Sequence, residues 1–435
     1  MTTSQPDDST EVGSYFISNY PPFSFWSPEK LPKAYEALET ESAKDVPIGL
    51  YLHIPFCRKR CKFCYFRVYT DKNSKQIERY VNALAREIEM YQEFPGIAGR
   101  PFKFVYFGGG TPSYLSSKQL RALVASLRES IGWDCAEEVT FECEPGTLNQ
   151  GKLEAIREIG VTRLSLGVEN FNDDILEENG RAHRTPECFE AYKWASDLDF
   201  DQINIDLIAG MVGETESNWK DSVSKALELQ PDCLTVYQME LPFNTIYSKE
   251  GLGGTGAVAD WETKRRWAEY AFSEFVKAGY HQSSAYTVVR DPDTRFVYRD
   301  ALWEGADMLG TGVASFGHFQ GFHMQNVDGI EAYNDMVEAG NLPLGRSYEL
   351  EPREMMIREF VLQLKKGRVE GGYFRDKFGA DVCAEFQEQL NNHRDNGFLE
   401  ITETGDIQVT SSGLLRVDSL LEPFFEDRHR GARYT

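Results

Sequence analysis

The chain has 435 residues, 41 % of them hydrophobic, so it can bury a sizeable core and is expected to hold two domains. Lys and Arg number 46 against 69 Asp and Glu, and the resulting net charge of −23 opposes non-specific binding to a phosphate backbone. No apolar run reaches about eighteen residues, and the polar, acidic start lacks an apolar signal core, so neither a transmembrane helix nor a secretory signal is expected.

In chain order, residues 1–44 read as an N-terminal arm. A polar start gives way to SYFISNYPPFSFWSP (14–28), rich in aromatics and proline and without helical or strand periodicity. Residues 45–290 alternate between two periods. Strands are predicted near 49–54, 103–107, 137–143, 162–167, 202–208 and 233–239. Among the helices between them, 74–92 carries a stripe of Ile77, Tyr80, Val81, Leu84 and Ile88, and 117–131 one of Leu120, Leu123, Val124 and Leu127. Repeated strand–helix units imply an α/β fold with a parallel sheet, and six of them fit a partial (β/α)6 barrel whose site residues sit on βα loops.

Residues 291–350 are expected to be a glycine-rich connecting and covering segment. The run ALWEGADMLGTGVASFGHFQGFHMQN (301–326) alternates small residues in a manner that suggests close packing or a covering loop. Its His318 and His323 have no obvious partner in sequence, so a plain buried or surface imidazole is the first expectation and substrate contact the second. Residues 351–435 read as a small, mainly helical domain. Helices at 353–366 and 383–393, a hairpin at 397–410 and a helix at 411–424 resemble a winged helix. The acidic balance argues against nucleic acid as its partner and favours a domain that covers the barrel mouth, ending in the basic tail RHRGARYT.

The chemistry is concentrated in YLHIPFCRKRCKFCYF (51–66), where Cys57, Cys61 and Cys64 stand in C-x3-C-x2-C spacing. Three thiolates suit a [4Fe-4S] cluster that keeps one iron open. A zinc site closed by His53 and three incidental thiols are the other readings, but structural zinc wants four ligands at a different spacing. The remaining cysteines, Cys135, Cys143, Cys188, Cys233 and Cys383, are scattered, and free thiols beside an oxygen-sensitive cluster fit a reducing cytoplasm. The segment FKFVYFGGGTPS (102–113) is an apolar strand that ends in three glycines, where a backbone can approach a ligand closely. It has neither the spacing of a dinucleotide fingerprint nor the lysine of a P-loop.

These motifs, with FECEPGT (141–147), RLSLGVENFNDDILEENGRAHR (163–184) and QINIDLIAGMVGET (202–215), resemble the radical S-adenosylmethionine (SAM) superfamily, and within it the group around oxygen-independent coproporphyrinogen III oxidase. The resemblance implies that Cys57, Cys61 and Cys64 hold the cluster and that SAM chelates the open iron. It also puts Tyr51 near cofactor and substrate, Phe63 at the adenine, and Gly109, Gly110 and Thr111 at the methionine end of SAM. Glu142 and Arg181 fall to a first SAM, and Asp206, Ile208 and Met239 to the region of the second SAM that this group can bind. Glu169 is a cofactor-side and catalytic candidate where the oxidase has glutamine, and Glu144 is a further carboxylate able to hold hydroxyls. Likeness to the oxidase's arm would bring Tyr20 towards the substrate.

What the resemblance implies for function divides in two. The oxidase removes hydrogen from propionate side chains and decarboxylates them, whereas two-SAM relatives transfer a methyl or methylene carbon to an sp2 carbon. Tyr65 and Phe66 replace the oxidase's glycine and cysteine, and VYQMELPFNT (236–245) also departs from its pattern. On that ground a two-SAM C-methyltransferase is expected, with the oxidase and a heme-binding carrier or chaperone as alternatives. The implied partners are a small-molecule substrate and an electron donor such as flavodoxin or ferredoxin, and a monomer is expected.

Overall fold

The computed structural model describes residues 19–42, 46–242, 244–251 and 258–432, so the first eighteen residues of the expected arm and the last three of the basic tail lie outside it. Helix α1 (Leu31–Glu39) precedes six parallel strands that lie side by side: β1 (Ile48–Ile54), β2 (Phe102–Gly109), β3 (Glu138–Cys143), β4 (Arg163–Glu169), β5 (Gln202–Ala209) and β6 (Cys233–Gln238). The crossovers carry α2 (Ser74–Tyr91), α3 (Ser117–Ser130), α4 (Gln150–Glu158), α5 (Asp173–Glu178) with α6 (Thr185–Ser196), and α7 (Glu216–Leu229). This is the partial (β/α)6 barrel expected from the sequence. Local signals agree with it: Asn73 caps α2 by accepting from the Lys75 and Gln76 amides, and Gln76 closes the capping box. The stripe of Ile77, Tyr80, Val81, Leu84 and Ile88 then packs into the main apolar core.

Strand patterning decides what the barrel encloses. Along β4, Leu164, Leu166 and Val168 are fully buried in the apolar core with the helices, whereas Arg163, Ser165, Gly167 and Glu169 line an internal cavity. Strands β5 and β6 repeat the arrangement, turning Asn204, Asp206 and Ile208, then Thr235 and Tyr237, inwards. Ser165, Asn204 and Thr235 form a chain of hydrogen bonds that ends on Asp206, with distances of 2.8–3.0 Å. The barrel interior is therefore polar, unlike the aliphatic layers that fill a closed barrel.

After β6 come α8 (Ile246–Lys249), α9 (Trp261–Lys277) and the short antiparallel strands β7 (His281–Gln282) and β8 (Thr287–Val289). The segment read as close packing or a covering loop is regular. It holds α10 (Val297–Trp303), β9 (Asp307–Thr311), β10 (Phe316–Phe319), β11 (Phe322–Asn326), α11 (Ile330–Glu338) and β12 (Leu344–Glu349). Strand β9 pairs parallel to β1, and β10–β12 continue the sheet antiparallel, to twelve strands in all. The glycines serve close strand approach: a Cβ on Gly310 would lie 1.9 Å from the Phe316 carbonyl oxygen. His318 and His323 are a cross-strand pair with Nδ1 atoms 3.3 Å apart. His323 Nε2–H donates to the Tyr20 carbonyl at 2.7 Å, and Trp26 stacks on its ring, so both imidazoles are structural. Burial pushes His323 down to about 3 and His318 down as well, which keeps them neutral. Tyr20 is itself buried against Phe425 and His429, away from the cavity.

The C-terminal part builds a second apolar core, in which Phe360, Phe374, Phe386 and Phe424 pack together. It comprises α12 (Pro352–Lys366), α13 (Gly371–Phe378), α14 (Val382–Glu385), α15 (Gln387–Asp395), α16 (Ser411–Leu414) and α17 (Val417–Leu421). A small sheet of β13 (Arg368–Val369), β14 (Leu399–Ile401) and β15 (Ile407–Val409) completes the winged-helix-like pattern. Helix α13 carries no wide apolar stripe and is not evident in the sequence. Among the described residues, no helix is long and apolar enough to cross a membrane.

One buried carboxylate ties the added strands to the barrel. Glu87 on α2 accepts from the Gly312 amide (2.8 Å), the Asn326 side chain (2.7 Å) and the Tyr333 hydroxyl. Burial pushes it up to about 7 against the pull of those three donors. Glu87→Ala strands three buried donors and is expected to lower unfolding free energy by about 2–3 kcal/mol in chemical denaturation. A loss below about 0.5 kcal/mol would show that water replaces the carboxylate.

Candidate active site

The cysteine loop leaves the end of β1 and is pinned at both sides. The Cys57 amide donates to Tyr69 (3.1 Å), the Tyr69 amide to Pro55 (2.8 Å), and the Lys62 amide to Asn179 on the loop after α5 (3.0 Å). Cys57, Cys61 and Cys64 are free thiols that line one end of the cavity. Thr111 donates its hydroxyl to Cys57 Sγ at 3.4 Å, and Arg181 Nη1 donates to Cys61 Sγ at 3.3 Å. Burial pushes the Cys57 thiol up to about 11 and the Cys64 thiol to about 12, so a cationic centre is needed to hold them as thiolates.

The donor geometry separates the metal readings. Among the described residues, the group of three His, Cys, Asp or Glu ligand atoms within 4.8 Å of one another is Glu354, Glu426 and His429, far along the chain. The three sulfurs are thus spread wider than one zinc would hold them, about 3.8 Å apart around Zn–S bonds of about 2.3 Å. His53 does not join them: its Nδ1 lies 3.3 Å from the Tyr51 hydroxyl. One buried and two half-buried thiols at that spread, with Arg181 donating to Cys61, fit a [4Fe-4S] cube.

Strand β2 delivers its glycines against this loop. Gly109 has φ +111, and a Cβ there would lie 2.6 Å from the His53 ring; one on Gly110 would lie 2.9 Å from the Phe56 carbonyl oxygen and 3.0 Å from Cys57 Sγ. Only glycine lets this backbone touch the cysteine loop and leave the space beside it to a ligand.

Three carboxylates face the same end. Glu142 accepts from the Tyr106 hydroxyl (2.7 Å) and the Gly109 amide (3.2 Å), and burial pushes it up to about 7. Burial also raises Glu169 to about 7, although Arg181 Nη2 lies 3.6 Å away. Glu169 has φ 64, a left-handed conformation that a non-glycine residue adopts at a cost. Asp206 is raised by burial and held by Ser165 and Asn204. Glu144, outside this trio, faces His183 at 3.2 Å; burial opposes its charge, yet His183, Arg181 and Arg58 hold it below the usual range. Both nitrogens of His183 face acceptors, Glu144 and the Val168 carbonyl; burial pulls the imidazole down, and its hydrogen bond to Glu144 opposes that.

One cavity of about 610 Å3 collects these groups. Of the expected site residues, Phe63, Gly109, Gly110, Thr111, Glu142, Glu169, Arg181, Asp206, Ile208 and Met239 line it with the three cysteines. Tyr51 does not: it lies behind Tyr106, with ring centroids 5.8 Å apart, and reaches the cavity only through that ring. The sequence reading missed an aromatic wall of Tyr106, Tyr237, Tyr286, Phe296 and Tyr298, and the basic groups Arg163, Arg299 and Lys365. Alternation along β4 and β6, read for its polar face, would have pointed to Arg163 and Tyr237. Leu415, Arg416 and Asp418 from the C-terminal helices close one side.

Residues 51–226 match the family model described as the Radical SAM superfamily. The heme chaperone HemW of Bacillus subtilis is 28 % identical over 367 residues, covering 84 % of this chain and 96 % of that protein. The oxygen-independent coproporphyrinogen III oxidase of Escherichia coli is 26 % identical over 392 residues, covering 86 % and 84 %. The solved coproporphyrinogen III oxidase (HemN) from Escherichia coli has the same fold, with a TM-score of 0.81 at 24 % identity over 95 % of this chain and 96 % of that one. Residues 51–226 thus carry the radical SAM match, the chain is similar to coproporphyrinogen III oxidase and HemW, and Cys57, Cys61 and Cys64 stand in the [4Fe-4S]-binding spacing.

Two outcomes follow from this geometry. After anaerobic reconstitution, Cys61→Ala is expected to lose the broad visible absorbance of the cluster, while Cys135→Ala, at an exposed thiol elsewhere, keeps it; equal iron in both variants would refute the assignment. Glu142 and Glu169 titrate near 7 when folded, above the ordinary value of about 4.3. Their contribution to stability is therefore fully present below about pH 4 and lost as pH rises through about 7. Melting the cofactor-free protein across that range should show the decline flattened in Glu142→Gln/Glu169→Gln; parallel profiles would remove these two groups as its source.

Proposed function

We propose that this radical SAM enzyme oxidises a tetrapyrrole of the coproporphyrinogen class, converting carboxyethyl side chains to vinyl groups. The observation that supports the reading is the convergence of the cysteine loop, the Gly109–Thr111 backbone and a wall of five aromatic rings on one cavity of about 610 Å3. Cofactor pockets of this size are ordinarily apolar with a few placed polar groups, and a wall of aromatic rings suits the apolar pyrrole faces of a bulky tetrapyrrole. When bound, the cluster and SAM supply a one-electron cleavage that makes a hydrogen-abstracting adenosyl group. The chain's own residues do the rest.

Cys57, Cys61 and Cys64 hold the cluster, and Arg181 offsets their charge with a donor to Cys61 Sγ at 3.3 Å. The exposed backbone of Gly109 and Gly110 receives the amino-acid end of SAM, while Glu142 and Asp206 accept from ribose hydroxyls or an ammonium. Tyr106 and Tyr298, with centroids 4.4 Å apart, and Tyr237 over Tyr286 at 6.0 Å, orient the substrate and displace water. Each side chain that reacts would lose one hydrogen atom to the adenosyl group, release CO2 and pass one electron to an external one-electron acceptor. Glu169, poised near 7, can hold or release a proton beside Arg181.

Carbon transfer from a second SAM is a distinct reading, favoured by one feature. Phe63 and Ile208 pack on the apolar cluster of Ile175, Met211 and Met239 at the cavity wall, a shelf that would take a second adenine. The deciding assay is anaerobic, with reconstituted enzyme, reductant, SAM and either coproporphyrinogen III or a quinone, followed by mass spectrometry. Loss of two CO2 from the porphyrinogen, with 5'-deoxyadenosine formed, is the expected result. Gain of one CH2 by either substrate, with S-adenosylhomocysteine, would replace it with carbon transfer. Stoichiometric heme binding without SAM turnover would replace both with a chaperone role.

A further inference from the structure

Arg163 and Arg299 bring two guanidinium groups to the part of the cavity that lies at the start of the barrel strands. Arg163 is the first residue of β4 and Glu169 the last, so the two are separated by about 20 Å of extended chain. Arg163 is 3 % exposed and Arg299 6 %. Both lie against Phe296, at 3.9 and 5.8 Å from its ring centroid, and all three residues line the cavity.

Neither cation is fully used. Among the described residues Arg163 has its stacking on Phe296 but no hydrogen bond or ion pair, and its Nε is buried without an acceptor. Arg299 gives Nε to Asp300 (2.9 Å) and Nη2 to Ser283 (3.1 Å), which leaves Nη1 buried and unpaired. The acids nearby, Glu138 and Asp206, act on Arg163 through space but spend hydrogen bonds on other donors. Glu138 accepts from the Val297 and Tyr298 amides (2.9 and 3.2 Å) and from the Thr140 hydroxyl (3.0 Å), and Asp206 accepts from Ser165 and Asn204. A buried guanidinium with unspent donors is costly unless something in the cavity accepts from it.

We propose that Arg163 and Arg299, stacked on Phe296, form a carboxylate subsite that anchors an acidic group of the substrate remote from its reacting carbon. A carboxylate matches the forked donors of Arg163 and the spare donor of Arg299, and the aromatic ring holds both planes in place. The inference rests on the proposed small-molecule substrate of this cavity and specifies its acid. It predicts selectivity for free acids over esters, with the acid end buried and the opposite end at the cysteine loop.

The test uses the reconstituted holoenzyme and two fluorescent probe pairs. One is coproporphyrin III and its tetramethyl ester; the other is pyrenebutyrate, a planar acid that is no tetrapyrrole, and its methyl ester. The enzyme is expected to bind an acid more tightly than its ester, and Arg163→Gln or Arg299→Gln to weaken the acid about tenfold to hundredfold while leaving the ester unchanged. Arg163→Lys and Arg299→Lys, which keep the charge but lose the fork, should fall between and serve if a glutamine variant does not fold; circular dichroism and iron content report folding. Arg-dependent selectivity for pyrenebutyrate without any for the porphyrin pair upholds the subsite and refutes the tetrapyrrole reading. No Arg-dependent preference for acid in either pair overturns the subsite, whatever the enzyme oxidises. So does a loss of bound SAM in the variants with acid affinity unchanged, which would assign the cations to the cofactor.

Discussion

Arg181 carries a positive charge to the end of the cavity where thiols and carboxylates gather, and their removal from water is tolerable because that cation is fixed among them. Its guanidinium meets the Cys61 sulfur at 3.3 Å, the Gly167 carbonyl and, at 3.6 Å, Glu169. The loop that places it is held by Asn179, whose side chain bonds to the Ile175 and Val212 carbonyls at 2.8 and 2.9 Å. The same Asn179 accepts the Lys62 amide from the cysteine loop at 3.0 Å. One turn therefore sets both the sulfur ligands and the cation that balances them.

That arrangement depends on a barrel turned partly inside out. Helices cover the outside of β1–β6 and bury the apolar face of each strand, which frees the inner face for polar residues. Polar side chains can occupy it because they satisfy one another across neighbouring strands. Ser165, Asn204 and Thr235 come from three consecutive strands and converge on Asp206. An aliphatic interior would be more stable on its own, but it would leave no room for cofactor and substrate.

The sequence shows this architecture where a single periodicity dominates. Strands β1–β6 and helices α2 and α3 stand within a few residues of their expected bounds, because each has a uniform apolar face and a cap or glycine at its end. Strands β9–β12 were hidden because three of them carry a glycine, Gly310, Gly317 and Gly345, a residue that also reads as loop. Tyr51 shows another kind of failure. It stands beside Tyr106 in the parallel register of β1 and β2, so the ring nearer the cavity belongs to the neighbouring strand. The cysteine spacing and the glycine loop were legible because their chemistry is local in the chain. The aromatic wall was not, since its members come from β2, β6, the β8 region and the segment leading into α10.

Charged groups gather at both ends of the cavity. Glu142, Glu169 and Asp206 face the cysteine end, where Arg181 lies 3.6 Å from Glu169 and Arg58, Lys59 and Arg60 also line the cavity. A sulfonium such as SAM would favour the ionised forms of Glu142 and Glu169, which burial holds near 7. Arg163 and Arg299 bring cations to the opposite end, where Asp300 pairs with Arg299 at 2.8 Å and Glu138 lies near Arg163. On the proposed reading a cationic cofactor and an anionic substrate take different ends of one cavity. Between them the aromatic wall is nearly neutral, and that is where the reacting carbon has to lie. Fixing both charged ends constrains the substrate's rotation before any bond changes, which is how a site with few groups near the reacting atom can still choose one hydrogen.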